Sequence, residues 1–145
     1  MLKTIDPLLS PELLFALAAM GHGDRIVLVD ANFPGTSVAA DTVTGNILRC
    51  DADIVSALKA VLTLLPLDTF EPNPAVGMQP VDDPASMPPV VAEMAAVIAA
   101  EGFEYSAIGR YDFYDAARES FAVVQTAERR FYGNIILTKG VIPPA

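Results

Sequence analysis

The chain has 145 residues, 52% of them hydrophobic and 19% charged, which is too apolar for a disordered chain and long enough for one well-buried domain. Its net charge of −9 disfavours phosphate backbones and anionic lipid surfaces, so neither nucleic acid nor membrane is expected as a partner. A lone Cys50 and a lone His22 exclude an internal disulfide and leave no His/Cys cluster for zinc. Charges interrupt every apolar run well before the ~20 residues of a membrane span. The opening MLKTIDPLLSPELL has neither a signal-peptide nor a transit-peptide plan, so a cytoplasmic location is the expectation.

In chain order, Ser10-Pro11 before Leu13, Leu14, Leu17 and Ala18 predicts a capped helix that stops by Gly21. Ile26 to Val29 is an unbroken apolar run, the pattern of a strand covered on both faces, and it delivers Asp30 at its carboxyl end. Asp51 or Asp53 caps a second helix through Ile54, Leu58, Val61 and Leu65, closed by Pro66. Residues 68–89 read as a proline-rich acidic loop with a short strand candidate at Val76–Met78. A helix from Pro89 to Glu101 stops at Gly102, and a strand near Tyr105–Ile108 leads to Arg110. Asp112 is placed as the cap of a short helix to Glu119, and Phe121–Val124 and Asn134–Leu137 are strand candidates. The order αβαβαβαββ, with continuous apolar strands, predicts a single α/β domain over residues 1–145: three layers, α/β/α, with a mostly parallel central sheet.

In open α/β sheets the ligand crevice lies beyond the carboxyl ends of strands, which singles out Asp30, Arg110 and the segment entering Asn134. A carboxylate, a guanidinium, an amide and a phenol supply donors and acceptors for a neutral polyol, and His22 supplies the one imidazole able to move a proton near neutral pH. Each residue also has a plainer use. His22 between glycines suits a helix end, Arg110 can stack on neighbouring tyrosines, and Tyr132-Gly133-Asn134 suits a turn in which Gly and Asn accept positive φ. Tyr114 reads as packing. No phosphate loop is present, neither Ser37 nor Ser120 sits in a nucleophile elbow, and the pairs Asp51/Asp53 and Asp82/Asp83 read as caps and turns rather than metal ligands.

Several blocks together carry a resemblance: Leu2-Lys3-Thr4-Ile5 with Ser10-Pro11-Glu12-Leu13-Leu14, Met20-Gly21-His22-Gly23-Asp24, Asp30-Ala31-Asn32-Phe33-Pro34, Arg110-Tyr111, Thr126 with Glu128, and Tyr132-Gly133-Asn134-Ile135-Ile136-Leu137. In this order they resemble the L-fucose mutarotase and D-ribose pyranase family over nearly the whole chain. The resemblance implies a cofactor-free isomerase that interconverts the anomers of a free monosaccharide, L-fucose ahead of D-ribose. It implies His22 as catalytic acid/base, Asp30, Arg110, Tyr132 and Asn134 as sugar-binding residues, and no metal. Asn32, where fucose-type relatives often have histidine, and Ala127, in place of a usual glycine, depart from the pattern. The alternatives are a ribose pyranase and a sugar-binding accessory protein without turnover. The family also implies a ring-like homo-oligomer, commonly a decamer, with sugar pockets near subunit boundaries. The expectation here is a closed assembly larger than a dimer, with Phe131 to Val141 at or near an interface and His22 of either the same or an adjacent chain at the pocket.

Overall fold

The computed structural model describes residues 1–145. Five helices, α1 (Pro11–Ala19), α2 (Gly35–Ala39), α3 (Ile54–Leu62), α4 (Pro89–Ala100) and α5 (Arg110–Arg118), alternate with six strands: β1 (Arg25–Val29), β2 (Leu48–Cys50), β3 (Ala75–Met78), β4 (Ser106–Ile108), β5 (Ala122–Thr126) and β6 (Ile135–Thr138). The strands form one sheet in the order β2-β5-β1-β6-β3-β4. Five run the same way, and β6 lies antiparallel between β1 and β3, pairing Leu28 with Ile135 and Gly77 with Ile135. The mostly parallel three-layer expectation therefore holds, with one reversed strand near its centre.

The continuous apolar strands are explained by two unequal cores. Ile26 and Leu28 face a cluster of 25 buried residues shared with α1, α3 and α4, whereas Val27 and Val29 face a cluster of ten shared with α2 and α5. Period-2 side-chain alternation carries both sets on one strand, so neither face is left for polar residues.

Local signals set the helix limits. The Ser10 hydroxyl accepts from the Leu13 amide, and of the two candidate aspartates it is Asp53 that caps α3, accepting from the Ser56 amide at 2.9 Å. Beyond α4, Gly102 has φ +86° and passes the Phe103 amide back to the Ile98 carbonyl, the closing hydrogen bond of a glycine-terminated helix. Asp112 is not a cap: α5 begins at Arg110 with Gly109 before it, and Asp112 sits inside the first turn. Helix α2 and strand β2, both absent from the sequence reading, are a five-residue helix without an apolar stripe and a three-residue strand on the sheet edge.

At the other edge, Gly77 lets β3 accept the Tyr105 ring: a Cβ there would fall 1.8 Å from the Tyr105 hydroxyl oxygen. That hydroxyl is buried without a hydrogen-bond partner, and burial pushes its pKa up to about 12. An unpaired buried hydroxyl costs roughly 1–3 kcal/mol, so Tyr105→Phe is expected to hold or raise the melting temperature. Gly77→Ala is expected to lower it by overpacking, at a cost of about 1–3 kcal/mol. Thermal or urea denaturation of both variants checks the pair.

Candidate functional site

The carboxyl ends of the parallel strands and the amino end of the reversed strand meet at one cleft. Its volume is about 330 Å³, and Asp30, Asn32, Phe33, Met78, Arg110, Tyr114, Phe131, Tyr132 and Asn134 line it. That lies at the lower end of the ~300–1,000 Å³ usual for small-molecule sites, a volume suited to a ligand smaller than a dinucleotide. Grooves of about 410 Å³ beside α4 and about 500 Å³ beside α1 are larger, but they hold no buried carboxylate or amide side chain.

Asp30 and Asn134 form the floor. The Asp30 amide donates to Asn134 Oδ1 at 2.9 Å, and Asn134 Nδ2 donates back to Asp30 Oδ2 at 3.2 Å, with both residues buried. Asp30 Oδ1 accepts from the Asn32 and Phe33 amides, each at 3.0 Å, which closes the turn after β1. Burial raises the Asp30 carboxyl above its ordinary pKa, against the opposing effect of these hydrogen bonds. Such a carboxylate is a fixed acceptor at the base of a cleft.

Arg110 enters from the first position of α5. A cation at the positive end of a helix is locally unfavourable, so helix stability does not explain it. Its Nε donates to the Tyr114 hydroxyl at 2.9 Å, one helical turn on, and the guanidinium lies 5.4 Å from the Tyr114 ring centroid and 5.5 Å from that of Tyr111. The hydrogen bond to Tyr114 is the main cause that raises the Arg110 pKa further. Tyr114 is thus a cleft residue and not merely packing: its ring meets Phe33 edge-on at 5.3 Å, and the i,i+4 spacing from Arg110 is the sequence signal that reveals it.

Tyr132 stands at φ +69°, a left-handed conformation that a tyrosine rarely takes. The turn reading of Tyr132-Gly133-Asn134 is correct in kind, but Tyr132 takes the positive φ and neither Gly133 nor Asn134 does. The Tyr132 hydroxyl accepts from the Val81 amide at 3.0 Å, so the loop after β3 is tied across the mouth.

His22 is not in this cleft. It lies before β1, at the opposite end of a five-residue strand that is itself about 17 Å long at ~3.3 Å per residue. There His22 Nε2 is 3.0 Å from Asp68 Oδ1, and the imidazole packs on the exposed Phe70 ring at 5.1 Å. Burial works against the Asp68 charge, but hydrogen bonds from the Phe70 amide and from His22 outweigh it and hold the carboxyl below its ordinary pKa. An ionised carboxylate only accepts, so the Nε2 proton points at Asp68 and Nδ1 is the ring nitrogen left for other chemistry. Nothing in the sequence flags Asp68, which lies 46 residues from His22.

A single α/β domain with a polar cleft at its strand ends and an oriented imidazole at the other end has known relatives. Residues 3–142 match the RbsD / FucU transport protein family, and the chain belongs to that family. It is 47% identical over 148 residues to the fucose mutarotase of Bos taurus, covering 99% of this chain and 95% of that one. The structure of the Streptococcus pneumoniae fucose mutarotase in complex with L-fucose is similar with a TM-score of 0.88 and 36% identity, over 98% of this chain and 100% of the other. Bacillus subtilis RbsD complexed with D-ribose shares the fold, with a TM-score of 0.75 and 20% identity over 99% and 100% of the two chains. No helix is long and apolar enough to cross a membrane.

The His22–Asp68 pair gives a pH test. Because the Asp68 carboxyl is lowered in the folded state, the stability it contributes is present above its unfolded pKa of about 3.9 and is lost as the pH falls through the lower folded value. Wild type is therefore expected to exceed Asp68→Asn in stability at neutral pH, with the gap closing below about pH 4. Urea titrations across that range check it.

Proposed function

We propose that this protein is a cofactor-independent mutarotase that interconverts the anomers of free L-fucose. The observation that carries the reading is one cleft gathering Asp30, Arg110, Tyr132 and Asn134 in a chain that matches a fucose mutarotase over its whole length. Those four are the sugar-binding residues. Asp30 accepts from sugar hydroxyls, Asn134 and the Tyr132 phenol donate or accept, and Arg110 offers fixed guanidinium donors that bridge neighbouring hydroxyls. Phe33, Phe131 and Met78 give the ring an apolar wall. The family resemblance implies that Arg110 favours fucose over ribose, ribose-type members usually having histidine at that position.

The reaction breaks the bond between the anomeric carbon and the ring oxygen. A base takes the proton of the anomeric hydroxyl, an acid delivers a proton to the ring oxygen, and the open aldehyde turns its face before the ring closes with the proton traffic reversed. Imidazole is suited to both roles. His22 is the catalytic group in this reading, acting through Nδ1 while Asp68 fixes the ring. Its own cleft is a strand length away, so the His22 that serves a cleft belongs to an adjacent copy, and Phe70 beside it packs onto the neighbour.

The surface supports such an assembly. Phe70, Phe131 and Tyr111 are each more than 70% exposed, and Val81 and Ile142 are also open to solvent. Aromatic exposure of this kind around a cleft mouth and around an imidazole marks a contact surface. A closed ring-like homo-oligomer, with 131–141 near the interface, covers these residues and completes the site. The family implies a decamer. We place the protein in the cytoplasm, where the single buried thiol of Cys50 stays reduced.

Saturation-transfer NMR on free sugars tests the function. Wild-type protein is expected to exchange the anomers of L-fucose faster than those of D-ribose, and chelator is expected to leave the rate unchanged. His22→Ala is expected to keep the fold by circular dichroism and lose about 10²-fold or more of the exchange, the usual scale for a positioned acid/base. Undiminished exchange in that variant removes His22 from the mechanism, and sugar binding with no exchange by wild type makes the protein a binding accessory.

A further inference from the structure

The segment that presents Tyr132 and Asn134 contains no helix or strand between Thr126 and Ile135. Such a segment ordinarily opens easily, yet this one keeps a tyrosine in a left-handed conformation. The side chain behind it is Glu128, which is only 4% exposed and does not line the cleft. A buried carboxylate with no ligand to bind needs a structural reason.

The reason lies in its partners. Glu128 Oε1 accepts from the Arg130 amide at 2.9 Å and from Arg130 Nε at 3.0 Å, while Oε2 accepts from Arg130 Nη2 at 3.0 Å and from the Ile54 amide at the start of α3 at 3.4 Å. The remaining guanidinium nitrogen, Arg130 Nη1, pairs with Glu93 on α4. The Glu128 carbonyl accepts from the Ala31 amide at 2.8 Å, next to Asp30. Its amide donates to Thr126 Oγ1, which in turn donates to the Val29 carbonyl. The methylene stem lies against Gly133, where a Cβ would come within 2.8 Å of Glu128 Cγ. Glu128 therefore ties the 128–134 segment to α3 through its carboxylate, to α4 through Arg130, and to β1 and the turn after it through its own backbone amide and carbonyl.

We propose that Glu128, forked by Arg130 and anchored through it to Glu93, is the positioning residue that holds Tyr132 and Asn134 in the sugar cleft. The proposal rests on the mutarotase reading for what the cleft binds, and not for the geometry. The fork suits the role because a bidentate guanidinium fixes direction as well as distance, which a lysine ammonium does not. Glu128 itself touches no substrate. Its removal acts through Tyr132 and Asn134, so it weakens sugar binding more than it slows the proton transfers at His22.

The test uses Glu128→Gln and Arg130→Met, with Arg130→Lys as the conservative variant, in the full protein. The first readout needs no sugar: hydrogen exchange of the Val81 amide, bonded to the Tyr132 hydroxyl, and of the Asp30 amide, bonded to Asn134. Both are expected to exchange about tenfold faster or more in Glu128→Gln and Arg130→Met, with the Val27 and Ile136 amides of the sheet unchanged. Arg130→Lys falls between these variants and wild type. The second readout is anomer exchange, where the half-saturating L-fucose concentration rises about tenfold and the rate at saturation stays within about threefold of wild type. Unchanged Val81 and Asp30 amides overturn the proposal, as does faster exchange spread evenly over the sheet, which marks a purely structural role. A saturated rate that collapses at unchanged half-saturation also overturns it, by placing Glu128 in the chemistry. If wild type turns over no sugar but the two amides respond as stated, the mutarotase reading fails and the positioning role stands.

Discussion

The reciprocal pair between Asp30 and Asn134 is the constraint on which the site depends. It joins the carboxyl end of β1 to the entry of β6, and only an antiparallel β6 can bring that entry to the end where the parallel strands finish. With the two ends bonded, β3 on the far side of β6 delivers Met78 and the Val81 loop, and the chain after β4 delivers Arg110. The buried Asp30 carboxyl is held against its own desolvation, and Tyr132 is held against its own backbone preference. Departures from local preference at one place, with Asp30 held by Asn134 and the turn after β1 and Tyr132 tied to the Val81 loop, are what a preorganised binding site requires.

The same strands that build the cleft also separate it from the imidazole. β1 and β6 end at Asp30 and begin at Asn134 on one side. On the other, Lys139 after β6 accepts from the Gly23 amide and donates its own amide to the Asp24 carbonyl, while its ammonium binds the Leu17 and Met20 carbonyls at the end of α1. The His22 turn is thus fixed as firmly as the cleft, but at the opposite end of the sheet. If the proposed roles hold, a chain with the imidazole and the cleft at opposite ends of its sheet is suited to a ring, in which the His22 end of one copy faces the cleft of the next. The exposed aromatic residues at both ends fit that arrangement.

The large elements were legible because each carried a physical signature. α1 and α3 have hydroxyl or carboxylate caps, α4 has Gly102 at its end, and β1, β5 and β6 are apolar on successive residues because cores lie on both faces. Asp30, Arg110, Tyr132 and Asn134 were legible as a group because strand-end position and polyol chemistry agree, and the family resemblance joined them to His22. What escaped was what tertiary contact alone decides. α2 and β2 are too short to show a period, and β2 exists because β5 accepts it at the edge. Tyr132 gives no local hint of positive φ, since the tie of its hydroxyl to the Val81 amide is made across the fold. Asp68 meets His22 only after the chain has passed through β1, α2, β2 and α3.

Mixed assembly asks whether one site is divided between neighbouring copies. His22→Ala and Tyr132→Ala proteins, dissociated, reassembled in equal amounts and assayed at L-fucose well below half-saturation, place an intact imidazole opposite an intact cleft in about one quarter of random pairings. Fucose anomer exchange is predicted to return to about that fraction of the wild-type rate, with neither parent active alone. No recovery in a verified mixed oligomer, or full activity in a wild-type monomer by light scattering, would contradict a shared site.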